Sequence, residues 1–162
     1  MAHPADPVVL TAILSAARAA GLRIATAESC TGGMIAAALT DLPGSSDVFD
    51  RGFVTYSNAA KVTMLGVAAA TLDAFGAVSE QVAREMAEGA MAQAAVGLAV
   101  SVTGIAGPGG SEFKPEGRVC FGLAMEGRTT HTETVEFGPR GRDAVRQATR
   151  DHALAMIGNA LS

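Results

Sequence analysis

The stretch LRIATAESCTGGMIAAALT, residues 22–40, has the pattern of a strand, a turn and a helix in direct succession. Residues 22–27 are mostly apolar and predict a short buried strand, while residues 31–40 predict a helix entered through small residues. A strand that leads straight into a helix is typical of α/β proteins. Ligands of open α/β sheets bind at the carboxyl ends of the strands, so the turn at 26–33 is a candidate ligand site.

The segments on either side continue the alternation of helix and strand patterns. Further helices are predicted over 8–20, over 58–65 with Asn58 as N-cap, over 68–75, from Ser79 to about 95, and over 142–157. Strands are predicted within 48–57, over 98–103, and over 118–125 and 130–137, the last two joined as a hairpin. This order predicts a single α/β domain over 1–162, a three-layer α/β/α arrangement with a mixed, largely parallel sheet and a C-terminal β-hairpin.

The composition excludes several classes of protein. The 162 residues are 49% hydrophobic and 17% charged, which suits one globular domain. Aromatic residues make up 4%, and the net charge is −4, so no nucleic-acid partner is expected. No apolar run approaches the roughly 20 residues that span a bilayer, and the first residues lack a signal-peptide pattern. We therefore expect a cytoplasmic protein without membrane contact.

Metal and disulfide chemistry are also not expected. The two cysteines, Cys30 and Cys120, form no CxxC motif and are far apart in the sequence. The three histidines are scattered, so no zinc site is predicted.

The turn between the first strand and the second helix contains two candidate nucleophiles. Ser29 needs a base to become reactive, and the thiol pKa of Cys30 would be lowered at a helix N-terminus. The small residues also let a phosphate or a developing oxyanion approach the backbone N–H groups. The alternatives are plain helix capping by Ser29 or Thr31, and a Cys30 that is only a small buried apolar residue.

Two later segments offer partners for such a nucleophile. Tyr56 ends a predicted strand and Lys61 lies on the next helix, so a buried lysine with a lowered pKa could act as general base with the tyrosine beside it. Considered alone, this segment favours a solvated Lys61 and a half-buried Tyr56. The glycine-rich loop at 104–117 is long enough to be functional, and Lys114 and Arg118 could supply charge for a phosphate, although a flexible surface crossover is the alternative.

Four motifs in this order resemble the CinA C-terminal domain family, which includes nicotinamide-nucleotide amidohydrolases of the PncC type. They are TAESCTGG at 26–33, GFVTYSN at 52–58 followed by Lys61, FGAVSE at 75–80, and TGIAGPGG at 103–110 followed by KPEG at 114–117. The resemblance spans nearly the whole chain and is that of the form without an amino-terminal nucleotide-hydrolase-like domain. It departs from the family at Phe113, where a polar residue is more usual, and at Arg118, where a threonine is common.

The resemblance implies deamidation of nicotinamide mononucleotide to nicotinate mononucleotide and ammonia, in pyridine-nucleotide recycling. It implies Ser29 as nucleophile with Tyr56 and Lys61 as its activating partners, and neither a metal nor a cofactor. The residues expected to contact the substrate are Cys30, Thr31, Gly32, Gly33, Asn58, Thr103, Gly104, Ala106, Gly107 and Lys114.

Other expectations remain beside this one. The arginines near the last helix, Arg140, Arg142, Arg146 and Arg150, are expected to be mostly solvated. A homo-oligomer is expected, and the alanine-rich helix face at 83–94 could serve an interface as easily as a core. The alternative function is a competence- or damage-associated binding module, or a nucleotide-binding protein without catalysis. A catalytic serine, tyrosine and lysine would have to converge in space, whereas a binding module has no such requirement.

Overall fold

A five-stranded mixed sheet forms the centre of the computed structural model, which describes residues 3–111 and 113–162. Its strands are β1 (Ile24–Glu28), β2 (Phe49–Val54), β3 (Leu98–Gly104), β4 (Arg118–Met125) and β5 (His131–Glu136), in the spatial order β2-β1-β3-β4-β5. The pairs β2–β1 and β1–β3 are parallel, whereas β3–β4 and β4–β5 are antiparallel. The predicted mixed sheet and C-terminal hairpin are confirmed, with the parallel pairing confined to β2, β1 and β3.

Within residues 3–111 and 113–162, six helices cover the two faces of this sheet. They are α1 (Pro7–Ala20), α2 (Met34–Leu39), α3 (Asn58–Leu65), α4 (Ala69–Phe75), α5 (Glu80–Ala94) and α6 (Arg142–Leu161), with a short 3-10 turn at Ser45–Asp47. One core joins α1, α2 and α6 to the larger apolar side chains of the sheet, and a second joins α3 and α5 to the other face. The expected three-layer α/β/α arrangement is therefore present.

The abundance of alanine follows from the close approach of α5 to the sheet. The strand residues that face α5 are small, among them Ala25, Ala27 and Ala99, and they pack against the buried alanines of that helix. The contact is close enough for Ser101 Oγ to donate a 2.5 Å hydrogen bond to the Ala83 carbonyl in the helix backbone. A larger side chain on this face would push the helix away from the sheet.

Several element boundaries differ from the sequence prediction. Ser57, not Asn58, caps α3, because its Oγ accepts a hydrogen bond from Ala60 N at 3.0 Å and Asn58 is the first helical residue. The second helix begins only at Met34, since Gly32 and Gly33 have positive φ angles of 57° and 108° that end the preceding turn. The last helix continues to Leu161, four residues beyond the predicted end.

Candidate active site

The first motif lies at the carboxyl end of β1. The carboxyl ends of β2 and β3 lie at the same edge of the sheet, because both strands are parallel to β1. Glu28, the last residue of β1, pairs with Val54 of β2 and Val102 of β3. Ser29 follows directly and still donates its backbone N–H to the Val102 carbonyl at 3.1 Å. The serine is thus held by the rigid centre of the sheet, although it stands in a loop.

Lys61 reaches this serine from α3. Its side chain lies in the protein interior with 2% of the residue exposed. The Nζ atom donates hydrogen bonds to Ser29 Oγ at 3.2 Å and to the Thr55 carbonyl at 3.0 Å. The segment considered alone favoured a solvated lysine, but α3 turns Lys61 and Leu65 toward the interior. The structure therefore brings together two of the three predicted catalytic side chains.

The turn after Ser29 is stabilised from within by the carboxylate of Glu28. One oxygen accepts from Thr31 Oγ1 at 2.6 Å and from Ile35 N at 2.9 Å, and the other accepts from Ala36 N at 2.9 Å. These bonds satisfy the first N–H groups of α2, which would otherwise lack partners. The expected caps, Ser29 and Thr31, do not cap this helix, because Glu28 does so from the strand.

The same turn is held from outside by Arg146 of α6. Its guanidinium donates to the carbonyls of Cys30 at 3.1 Å and of Thr31 at 3.2 Å. Within residues 3–111 and 113–162, the backbone N–H groups of Cys30, Thr31 and Gly33 make no hydrogen bond to another residue. Groups of this kind are suited to stabilising an oxyanion.

Cys30 is buried in this turn with 5% of its surface exposed. Burial, which disfavours the thiolate, is the main cause that raises the pKa of its thiol to about 12. A thiol with that pKa is protonated at neutral pH, so the environment favours the buried-apolar interpretation of Cys30 over the nucleophilic one.

A cavity of about 330 Å³ opens beside Ser29. Ser29 and Cys30 line it together with Tyr56, Arg142 and the glycine-rich loop from Gly104 to Ser111. Tyr56 is 61% exposed, and its hydroxyl accepts a 2.6 Å hydrogen bond from Arg142 Nη2. The chain's one tyrosine thus shares the cavity with Ser29, and its bond to Arg142 places its hydroxyl beside a cation.

Two charged side chains, those of Arg142 and Glu116, fix the conformation of the glycine-rich loop. Arg142 Nη1 donates to the Gly107 carbonyl at 2.7 Å. Glu116 accepts from Gly109 N at 2.6 Å and from Gly141 N at 3.1 Å, which ties the loop to the start of α6. A Cβ on Gly107, whose φ is 92°, would overlap the Glu116 side chain, so this close approach requires glycine. Three of the predicted contact residues, Gly104, Ala106 and Gly107, line the cavity.

Other predicted contact residues lie away from the cavity lining. Lys114 Nζ donates to the carbonyls of Phe75 at 2.8 Å and Val78 at 2.6 Å, beside a different cavity. Thr103 is buried and donates from Oγ1 to Ala77 O at 2.9 Å, and Asn58 is exposed on α3. The residues Thr31, Gly32 and Gly33 belong to the turn but do not line the cavity.

The two residues that depart from the family pattern also lie outside the lining of this cavity. Phe113 is fully exposed, and Arg118 forms an ion pair with Glu136 at 2.6 Å.

The arginines near α6 were expected to be mostly solvated, and Arg140 and Arg142 are exposed as expected. The sequence did not reveal that Arg142 also bonds Tyr56 and lines the cavity, or that Arg146 is partly buried against the turn after Ser29. For Arg150 the expectation is wrong, because it is 6% exposed, with Nη1 donating to His3 O at 2.7 Å. The signal was present in the spacing, since positions 142, 146 and 150 lie four residues apart on one helical face.

The described residues 3–111 and 113–162 contain no group of three His, Cys, Asp or Glu side chains arranged to hold a metal ion. Within the same ranges, no helix combines the length and apolarity needed to cross a membrane.

Comparisons with known proteins agree with this architecture. The CinA C-terminal domain model matches residues 8–161. A CinA-like protein of Chlorobium phaeobacteroides is 56% identical over 146 residues, covering 87% of this chain and 34% of the relative. The nicotinamide-nucleotide amidohydrolase PncC of Enterobacter agglomerans is 55% identical over 133 residues, covering 82% of this chain and 80% of that protein.

Solved structures give the same assignment. The competence/damage-inducible protein CihA of Agrobacterium tumefaciens superposes with a TM-score of 0.92 at 46% identity, covering 99% of both chains. A CinA superfamily protein of Escherichia coli gives a TM-score of 0.86 at 31% identity, covering 99% of this chain and 95% of the other. The chain spans about a third of the length of its CinA-like relative from Chlorobium phaeobacteroides and four fifths of the PncC relative. From the family match over nearly its whole length, together with these relatives, the chain belongs to the CinA C-terminal domain family.

Proposed function

We propose that this chain hydrolyses the carboxamide of nicotinamide mononucleotide, releasing ammonia and nicotinate mononucleotide, with Ser29 as the nucleophile. The observation that supports it best is the hydrogen bond between the buried Lys61 amine and Ser29 Oγ beside an open cavity. The name of the PncC relative, 55% identical over most of both chains, supports the substrate class. Such an enzyme would act in pyridine-nucleotide recycling.

In the proposed first step, Ser29 Oγ attacks the carboxamide carbon while Lys61 accepts the hydroxyl proton. Lys61 must be neutral for this, and burial disfavours the charged form of a lysine. The Thr55 carbonyl accepts a hydrogen bond from Nζ and so fixes the amine next to Ser29. Lys61 then gives the proton to the leaving nitrogen, ammonia departs, and water hydrolyses the acyl-enzyme ester with the same lysine as base.

The tetrahedral intermediate of each step carries an oxyanion that needs donors. We assign this role to the backbone N–H of Cys30, which lines the cavity beside Ser29 and makes no hydrogen bond to another described residue. Loss of one such donor typically raises the barrier by about 2.7–4 kcal/mol.

The 5′-phosphate of the substrate needs a cation, and Arg142 is better placed for it than Lys114. Arg142 lines the cavity that contains Ser29, and its bonds to Gly107 and Tyr56 use two of its five N–H donors. The Lys114 amine lies beside another cavity and uses two of its three N–H donors on carbonyls. A guanidinium can bind a phosphate through two parallel hydrogen bonds. Tyr56 lies next to Arg142 and would form one wall of the site; its direct role in activating Ser29 remains a prediction that Tyr56→Phe tests.

Release of ammonia from nicotinamide mononucleotide, without added metal, tests the proposal. We expect wild-type protein to be active, Ser29→Ala to be inactive, and Ser46→Ala, an exposed serine outside the site, to match wild type. Cys30→Ala should retain activity, and the opposite result would move the nucleophile to the thiol. Thermal stabilisation by the nucleotide without ammonia release would instead identify a binding protein, and would refute the proposed hydrolysis.

A further inference from the structure

Glu28 belongs to the nucleophile motif, and its side chain is completely buried although no step of the proposed mechanism uses it. Its carboxylate has three hydrogen-bond donors, Thr31 Oγ1, Ile35 N and Ala36 N, all within 2.6–2.9 Å. A buried carboxylate is costly unless its oxygens are well bonded, so this group is fixed in place.

These bonds close the turn that contains the nucleophile. The carboxylate starts from position 28 and reaches positions 31, 35 and 36, so Ser29 and the residues after it lie inside a ring closed by side-chain hydrogen bonds. The turn cannot open or rotate without breaking at least one of them. It contains the Cys30 N–H group that is assigned above to the oxyanion.

The backbone of Glu28 acts on the other half of the site. Its carbonyl accepts from Thr55 N at 2.8 Å, and the Thr55 carbonyl in turn accepts from Lys61 Nζ at 3.0 Å. One residue therefore connects the turn that holds Ser29 with the segment that holds Lys61. The distance between serine and lysine depends on both connections.

A comparison within the same chain separates positioning from ordinary capping. Glu85 of α5 accepts from Ala68 N at 2.8 Å and from Thr71 Oγ1 at 2.7 Å, and so caps α4 with the same donor types. No catalytic group lies inside that ring. Glu28 and Glu85 thus accept from the same types of donor and differ in what they enclose. They also differ in burial, because Glu28 is completely buried with three donors and Glu85 is partly exposed with two.

We infer that Glu28 is a positioning residue for the proposed hydrolysis. Its carboxylate fixes the turn so that Ser29 Oγ stays within reach of Lys61 and the Cys30 N–H stays free for the oxyanion. This inference rests on the proposed function. Displacement of a reacting group by about 1 Å can cost on the order of 10²-fold in rate, because the attack geometry is lost.

Glu28→Gln tests it, since the amide keeps the shape but presents an N–H₂ group to donors that need an acceptor. We expect kcat per folded protein to fall at least tenfold with KM changed less than threefold. Glu85→Gln, which disrupts a partly exposed cap, should lose less stability and retain kcat. Thr31→Val, which removes only one of the three bonds, should lower kcat by a smaller factor, and it replaces Glu28→Gln if that variant does not fold. A kcat unchanged in the folded Glu28 or Thr31 variants, or lowered equally in Glu85→Gln, would overturn the inference.

A second readout does not depend on the natural substrate. A fluorophosphonate should label Ser29 in wild type, and its rate of labelling should fall in Glu28→Gln and not in Glu85→Gln. If wild type is labelled but releases no ammonia, the proposed substrate is wrong and the labelling rates alone decide the role of Glu28. If wild type is neither labelled nor active, both the nucleophile assignment and this inference are refuted.

Discussion

Replacement of Lys61 by Met gives the sharpest test of the catalytic proposal. Methionine is apolar and similar in length, so it can fill the buried space that the Lys61 side chain occupies. The substitution removes the amine that bonds to Ser29 Oγ at 3.2 Å and to Thr55 O at 3.0 Å. Removal of a general base typically lowers the rate 10²- to 10⁴-fold. That range corresponds to a barrier increase of about 3–5 kcal/mol.

The stability change should be smaller than the change in the barrier. Leaving the Thr55 carbonyl without its donor costs about 1–3 kcal/mol. Removing an amine from the interior relieves a burial penalty of similar size, and the two effects oppose each other. We therefore expect the free energy of unfolding to change by less than about 2 kcal/mol. The protein should stay folded and lose its turnover.

Two measurements decide the matter. Ammonia release from nicotinamide mononucleotide gives kcat and KM, and denaturant unfolding gives the stability. Arg128→Met is the matched control, because it also removes a cation but from an exposed position in the hairpin, bonded to Ala160 O at 3.3 Å. A folded Lys61→Met with a kcat within tenfold of wild type would remove the lysine from the mechanism.

The remaining predictions concern the thiol, the packing and the cavity cation. With a pKa of about 12, only about one Cys30 thiol in ten thousand is ionised at pH 8, so iodoacetamide should alkylate it far more slowly in native than in unfolded protein; equal rates would contradict the burial argument. Gly89→Ala should cost about 1–3 kcal/mol in urea unfolding, because its Cβ would overlap a backbone carbonyl of α3 that cannot move aside. Gly158→Ala, whose Cβ would meet no atom closer than 3.9 Å, should instead be neutral or stabilising. Arg142→Met should raise KM for the nucleotide at least about tenfold, since a charged hydrogen bond contributes about 1.5–3 kcal/mol, while the neighbouring Arg140→Met should leave KM unchanged; the reverse order would exclude Arg142 as the phosphate ligand.

Local patterns in the sequence were enough to determine most elements. The predicted strand over 118–125 matches β4 at both ends, and Ser79 caps α5 with its Oγ accepting from Val82 N at 3.2 Å. Periodicity and capping depend on residues close together in the chain, so a sequence contains the information needed for them. The same holds for the position of Ser29 directly after a buried strand.

Motif resemblance took the sequence further, to Lys61 as the partner of Ser29, although the helix pattern alone favoured a solvated lysine. Resemblance was less informative about the substrate contacts. Lys114 matches the motif, but the structure binds its amine to Phe75 and Val78 carbonyls, outside the lining of the Ser29 cavity.

Only the tertiary structure revealed the groups that complete the site. Arg146 reaches the carbonyl of Cys30 across 116 positions of sequence, and Arg142 reaches Tyr56 across 86. Helical periodicity shows which side chains share a face, but it does not show which loop that face will meet. That meeting depends on how α6 packs against the sheet and on the order of the strands. The sequence alone therefore determined the elements and the nucleophile motif. Long-range packing decided the burial of Lys61, the contact of Arg146 with the turn after Ser29, and the position of Arg142 in the cavity.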